Sequence, residues 1–241
     1  MFLWVFDVQA DTLSKAIGYW KELKPVLFPL SILKRNFGLT QIKNPMIDNF
    51  LSNFQDGVFH VLHLSAYDHI LFLIVLTIPY LFKDWKRVLI LVSVFTLGHC
   101  ASLALTTYDI ISVNVKLVEF LIPLTILIVA LFNVFTAGKK SHGTKIGLLF
   151  FATLFFGLIH GLGFVTAFER LISTSENKLL ALLEIGLGIE VGQLVVVFIV
   201  MFLSFLCQTI FRFSRRDWIM VISAIVVGFV LPMLINSELF A

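Results

Sequence analysis

Charged residues are scarce in this sequence: they make up 14% of its 241 residues, against roughly a quarter in soluble domains. It has only two cysteines, Cys100 and Cys207, and both lie in apolar runs, so we expect no disulfide framework. Hydrophobic residues make up 59%, and the mean hydropathy is +0.99. They come in runs of about 20 residues, which exclude a disordered chain, a nucleic-acid binder and a secreted scaffold. The composition predicts an integral membrane protein.

Six apolar runs are long enough to cross a hydrocarbon core of about 30 Å as helices. They cover residues 58–82, 88–108, 113–135, 146–168, 179–211 and 218–235. The runs are continuously apolar instead of alternating, which favours helices over a barrel. The sequence therefore predicts an all-α polytopic membrane protein, with a bundle of about six transmembrane helices in residues 46–241.

Basic residues are concentrated in alternate links between these runs. They are Lys83, Lys86, Arg87, Lys139, Lys140, Lys145, Arg212, Arg215 and Arg216. By the positive-inside rule, we expect these links to be cytoplasmic and both ends of the bundle to lie outside.

Residues 1–45 differ from the rest of the chain. Between Asp11 and Lys24 the apolar residues recur at helical spacing, with polar residues on the other face. This pattern predicts an amphipathic helix at the membrane interface, which Pro25 and Pro29 would end. The alternative is a leader segment without a function.

Ionisable side chains inside a spanning helix cost roughly 2.5–3.5 kcal/mol each, so a group of them needs an explanation. The predicted spans contain His60, His63, Asp68, His69, His99, Glu119, His160, Glu184, Glu190 and Gln193. Counted from the basic links at about 1.5 Å per residue, Asp68, His69, His99 and His160 all lie roughly 18–23 Å deep. Glu190 and Gln193 approach the same layer if their helix is tilted.

Histidines and carboxylates at one depth suit a borderline divalent cation such as nickel, cobalt or zinc. Each histidine taken alone could instead be a hydrogen-bonded packing residue. Glycines surround two of the candidate ligands: Gly157, Gly161 and Gly163 flank His160, and Gly186, Gly188 and Gly192 flank Glu190. We therefore expect the fourth and fifth predicted helices to approach each other closely.

Six short motifs, taken together, resemble those of the HupE/UreJ family of bacterial membrane proteins over about residues 50–236. The motifs are GVFHVL (57–62), AYDHILF (66–72), FTLGH (95–99), VEF (118–120), FGLIHGLGF (156–164) and GIEVGQ (188–193). The resemblance implies a multi-pass protein of the inner membrane that acts as a nickel or cobalt permease. It implies metal contacts at His60, Asp68, His69, His99, His160 and Glu190, with Glu119 and Gln193 in support.

Two functions follow from a layer of histidines and carboxylates within the membrane. The first is a permease for a divalent transition metal, with the metal ion and the lipid bilayer as its partners. The inner half of the predicted bundle offers only Asn133 as a further polar side chain, which weakens this hypothesis. The alternative is a membrane-embedded zinc hydrolase acting on lipid or peptide. Metal sensing and a structural role are also open, as is the oligomeric state.

Overall fold

Helices form along the apolar runs because a helix satisfies its backbone polar groups within one segment. The computed structural model describes residues 45–63, 67–138, 146–172 and 177–237. Within these ranges the chain forms seven α-helices and no strand. They are α1 (Pro45–Leu62), α2 (Asp68–Thr77), α3 (Trp85–Thr107), α4 (Val115–Thr136), α5 (Ile146–Ile172), α6 (Lys178–Thr209) and α7 (Arg215–Ile235). A 3-10 turn, Phe82–Asp84, leads into α3.

Five of these helices, α3 to α7, are long and apolar enough to cross a membrane. Their ends lie within four residues of the predicted spans, which confirms the polytopic helical fold. The interfacial segment predicted for residues 1–45 lies outside the described residues, apart from Pro45 at the start of α1.

The first predicted span, residues 58–82, is wrong as a single helix. α1 ends at Leu62, and α2 begins at Asp68 and extends for only ten residues. α2 ends close to Pro79, whose nitrogen has no hydrogen to continue a helix. Hydropathy missed the interruption because apolar residues flank it on both sides. A break in a helix is tolerated within a membrane when other parts of the protein surround it. Here α6 packs against both α1 and α2.

Glycines bring two pairs of helices into backbone contact, but these are not the pairs expected from the sequence. A Cβ added at Gly188 of α6 would lie 2.0 Å from the Phe54 carbonyl oxygen of α1. One added at Gly157 of α5 would lie 2.2 Å from the Phe95 carbonyl oxygen of α3. The expected close approach of α5 to α6 is therefore wrong, because each glycine face has a different helix as its neighbour.

The links that follow α2, α4 and α6 gather at one end of the bundle, which we call the basic end. The Arg215 guanidinium donates a hydrogen bond to the Pro79 carbonyl oxygen. The Arg216 side chain packs against Gly138, which has a φ of +82° at the end of α4. Lys139, Lys140 and Lys145 lie outside the described residues. The cytoplasmic location of this end stays a prediction.

Candidate metal centre

Four histidines from four helices meet where α1 ends and α2 begins. His60 lies in the last turn of α1, His69 in the first turn of α2, His99 in α3 and His160 in α5. The His69 ring centroid is 4.6 Å from that of His60 and 5.4 Å from those of both His99 and His160. We call these four residues the imidazole cluster.

The cluster forms because α3 and α5 run in the same direction in contact with each other. His99 and His160 each lie 14 residues after the first residue of their helix, Trp85 and Ile146. At about 1.5 Å per residue, both therefore lie roughly 21 Å from the basic end. The depth calculated from the sequence thus corresponds to a real juxtaposition of side chains.

Three of the four histidines form the tightest group. One ring nitrogen from each of His60, His69 and His99 lies within 4.8 Å of the other two. Around a divalent ion with metal–nitrogen bonds of about 2.0–2.1 Å, ligand nitrogens lie roughly 3–4 Å apart, so little closure is needed. His160 is outside this group, but its ring adjoins that of His69.

Buried ring nitrogens without a hydrogen-bond partner distinguish this cluster from ordinary packing histidines. Among the residues that the structure describes, they are Nε2 of His60, His69 and His160, and both ring nitrogens of His99. His99 and His160 are fully buried. An unsatisfied buried polar atom costs about 1–3 kcal/mol, which a cation accepting the nitrogen lone pairs would offset.

Two of the rings are oriented by hydrogen bonds to their other nitrogen. His69 Nδ1 lies 3.2 Å from Asp68 Oδ1, and His160 Nδ1 donates to the Phe156 carbonyl oxygen at 2.9 Å. The Asp68 carboxylate also accepts a hydrogen bond from the His69 backbone N–H at 2.9 Å. These contacts leave Nε2 as the free nitrogen of both rings. Carboxylate and carbonyl groups play the same orienting role behind histidine metal ligands.

Aromatic rings close the basic-end side of the imidazole cluster. Phe72, Phe95 and Phe156 each lie three or four residues toward that end from a cluster histidine. The Phe72 ring centroid is 4.6 Å from that of Phe95 and 6.0 Å from that of Phe156. We call these three residues the aromatic floor. On the other side, Phe164 stacks on His60 with a centroid distance of 3.5 Å.

The structure does not place Glu190 or Gln193 in the group of converging nitrogens. The Glu190 carboxylate instead accepts hydrogen bonds from the hydroxyls of Ser93, at 2.6 Å, and of Thr96. Gln193 Oε1 lies 2.9 Å from the same Thr96 hydroxyl. Ser93, Thr96, Glu190 and Gln193 are called the oxygen cluster below. On α3 it lies one to two turns closer to the basic end than His99.

Glu119 is exposed and lies apart from the three converging imidazoles. It lines a cavity of about 400 Å³ where α3 and α5 end and α4 begins, opposite the basic end. Asp109 and Glu169 line the same cavity, and none of its described lining residues is basic. Leu162 and Gly163 also line it, next to Phe164. We call this cavity the acidic mouth.

Ser93 and Thr96 were missed in the sequence, although a signal for them exists. With His99 they recur at every third position of α3, which places them along one side of the helix. Hydroxyl side chains are common in membrane helices, where they often contact their own backbone; the Thr96 hydroxyl lies 3.2 Å from the Val92 carbonyl oxygen. Only their contact with Glu190 shows that they belong to a polar site.

The chain matches the family model described as HupE / UreJ protein over residues 38–237. No significant match was found among curated proteins or among solved structures. The matched segment includes every described helix, the imidazole cluster, the oxygen cluster and the acidic mouth.

Proposed function

The chain belongs to the HupE/UreJ family, and we propose that it is a multi-pass permease of the bacterial inner membrane for a divalent transition metal: nickel or cobalt, with zinc as the alternative. The single observation that carries this proposal is the convergence of His60, His69 and His99 with free, buried ring nitrogens. Imidazole ligands with a nearby carboxylate suit a borderline cation better than calcium or copper(I).

The position of the cluster supports transport. His60 and His69 lie on either side of the break between α1 and α2. Interrupted helices within the membrane are typical of ion sites in transporters. The acidic mouth on one side would concentrate cations before they reach the cluster. The aromatic floor on the other side separates the cluster from the basic end, so release inward requires these rings to move.

The arrangement of the carboxylates argues against hydrolysis, the alternative that the sequence left open. The hydrolase that the sequence suggested would use a carboxylate to activate a metal-bound water. The Asp68 carboxylate is engaged with His69, and the Glu190 carboxylate with two hydroxyls. The family match offers no support for a hydrolase either. Transport therefore accounts for more of the observed contacts.

Metal binding and uptake together test this function. Purified protein is titrated with Ni²⁺, Co²⁺ and Zn²⁺ in a calorimeter, and vesicles containing it are assayed for uptake of radioactive nickel. We expect His99→Ala to lower affinity about tenfold or more, since it removes a ligand, and to lower uptake in parallel. His142→Ala, at a position outside the described residues, is the control for loss of a histidine.

Metal binding and metal transport can fail separately in these experiments. Equal nickel affinity in wild type and His99→Ala would remove the imidazole cluster as the binding site. Tight binding without any uptake by the wild type would indicate a sensor or a structural metal site in place of a permease.

A further inference from the structure

The oxygen cluster has the composition of a cation site of a different kind. Its four residues bring together five side-chain oxygens and no ring nitrogen: two from Glu190 and one each from Ser93, Thr96 and Gln193. Gln193 is fully buried, and its Nε2 has no hydrogen-bond partner among the described residues. In this orientation of the amide, Oε1 and not Nε2 faces the Thr96 hydroxyl.

Hydrogen atoms are too few for the oxygens that surround Thr96. Its hydroxyl has one hydrogen, but three acceptor oxygens lie within hydrogen-bonding distance: those of Val92, Glu190 and Gln193. At most one of these contacts can be a hydrogen bond donated by Thr96. The other close oxygen pairs are repulsive unless an additional hydrogen or a cation lies between them. A small cation would relieve the repulsion.

Charge leads to the same conclusion. Within the described part of the chain, no Lys, Arg or His side chain forms an ion pair with Glu190. A carboxylate held between helices without a counter-charge is costly. Because the cluster contains a single carboxylate, one monovalent cation neutralises it. Calcium sites commonly use several carboxylates, and magnesium retains much of its water, so the divalent hard cations fit less well.

We propose that Ser93, Thr96, Glu190 and Gln193 form a binding site for Na⁺, separate from the imidazole cluster. Hard cations prefer carboxylate, hydroxyl and carbonyl oxygens, whereas nickel and cobalt are better served by imidazole. The oxygens already lie at hydrogen-bonding distances, so Na⁺ requires less expansion of the site than K⁺. The site lies on the basic-end side of the imidazole cluster.

The location gives the ion a role as a coupling ion, and this part of the inference rests on the proposed transport function. Thr96 and His99 are one helical turn apart on α3. Closure of α3 and α6 around Na⁺ would therefore alter the positions of His99 and of Phe95, a member of the aromatic floor. Na⁺ binding would then change access to the metal-binding residues.

The binding site is tested with Na⁺ alone. Purified protein in choline chloride, free of transition metals, is titrated with NaCl and with KCl by calorimetry. We expect saturable Na⁺ binding, weaker K⁺ binding, and at least a tenfold loss of Na⁺ affinity in Glu190→Gln and in Thr96→Ala. Glu184→Gln is the matched control: Glu184 is the other carboxylate of α6, but it is buried, accepts a hydrogen bond from Asn53 and lies outside the cluster.

Nickel titration of the same samples separates the two proposals. Glu190→Gln should retain nickel affinity within a few-fold, which also shows that the variant is folded. In vesicles that contain this variant, a Na⁺ gradient should no longer accelerate nickel uptake. Wild-type protein that binds nickel without saturable Na⁺ binding overturns the sodium site alone. Sodium binding without nickel binding overturns the proposed function alone. Uptake driven by a pH gradient and indifferent to Na⁺ identifies a proton in place of Na⁺ and overturns the coupling role.

Discussion

Asp68→Asn separates the charge of the orienting carboxylate from its shape. Asparagine retains an oxygen that can accept a hydrogen bond from His69 Nδ1, so the ring should keep its orientation. What is lost is one negative charge, 3.2 Å from His69 Nδ1. Adding the width of the ring and a metal–nitrogen bond of about 2.1 Å places a bound ion roughly 7 Å from this carboxylate.

The expected loss of affinity follows from that distance. At an effective dielectric constant of about 20, a charge of −1 and a divalent ion 7 Å apart interact by roughly 5 kcal/mol. The Asp68 side chain is 17% exposed, so water lowers this value, which we take as an upper bound. Removal of an orienting carboxylate typically costs 10–100-fold in metal affinity, or about 1.4–2.8 kcal/mol. We expect nickel affinity to fall within that range.

Calorimetric titration with nickel provides the measurement, and Asp217→Asn is the control. Asp217 is an exposed carboxylate at the start of α7, near the basic end, where it accepts a hydrogen bond from Ser214. Its variant should bind nickel like the wild type. An affinity within twofold of wild type in Asp68→Asn would refute the idea that this carboxylate supports a metal site through His69. If the Asp68→Asn protein elutes from a size-exclusion column earlier than the wild type or in a broader peak, misfolding is the cause of any loss.

Three further predictions concern the packing, the floor and the mouth. Gly157→Ala should lower the free energy of unfolding by about 1–3 kcal/mol, because the added Cβ meets the α3 backbone. Gly147→Ala, whose Cβ would meet nothing within 4 Å, should leave it unchanged, and thermal denaturation compares the two variants. Phe95→Leu should speed nickel passage through vesicles by opening the aromatic floor and leave nickel affinity within a few-fold, with exposed Phe151→Leu as the control. Glu119→Gln should slow nickel association in stopped-flow measurements at low salt but not at high salt. If the association rates of variant and wild type still differ in 1 M salt, where the screening length is about 3 Å, electrostatic steering is contradicted.

The depth of the histidines could be predicted because it depends on only two quantities that a sequence contains. Basic residues mark where a span ends, and a helix rises by a constant distance per residue. His99 and His160 therefore came out level with each other and with His69, and each of their ring centroids does lie 5.4 Å from that of His69. A depth, however, does not give the direction in which a side chain projects.

Lateral placement is the part that the depth calculation could not supply. Glu190 was assigned to the metal layer by depth, but its side chain contacts Ser93 and Thr96. α6 is 32 residues long, so an assumed tilt could bring several of its positions to the same level. Which helix faces Glu190 depends on the packing of α6 against α1 and α3.

The sequence by itself determined that this chain is a helical membrane protein, where five of its helices lie, and at what depth the histidines occur. These properties follow from apolar length, charge and helical rise, which are local. Only the tertiary structure decided that α1 and α2 are separate helices, that α5 packs on α3 instead of α6, and that the histidine nitrogens and the Glu190 oxygens lie in two separate clusters. Those outcomes depend on which helix faces meet, because backbone contacts at glycine and hydrogen bonds between helices join residues that are distant in the chain.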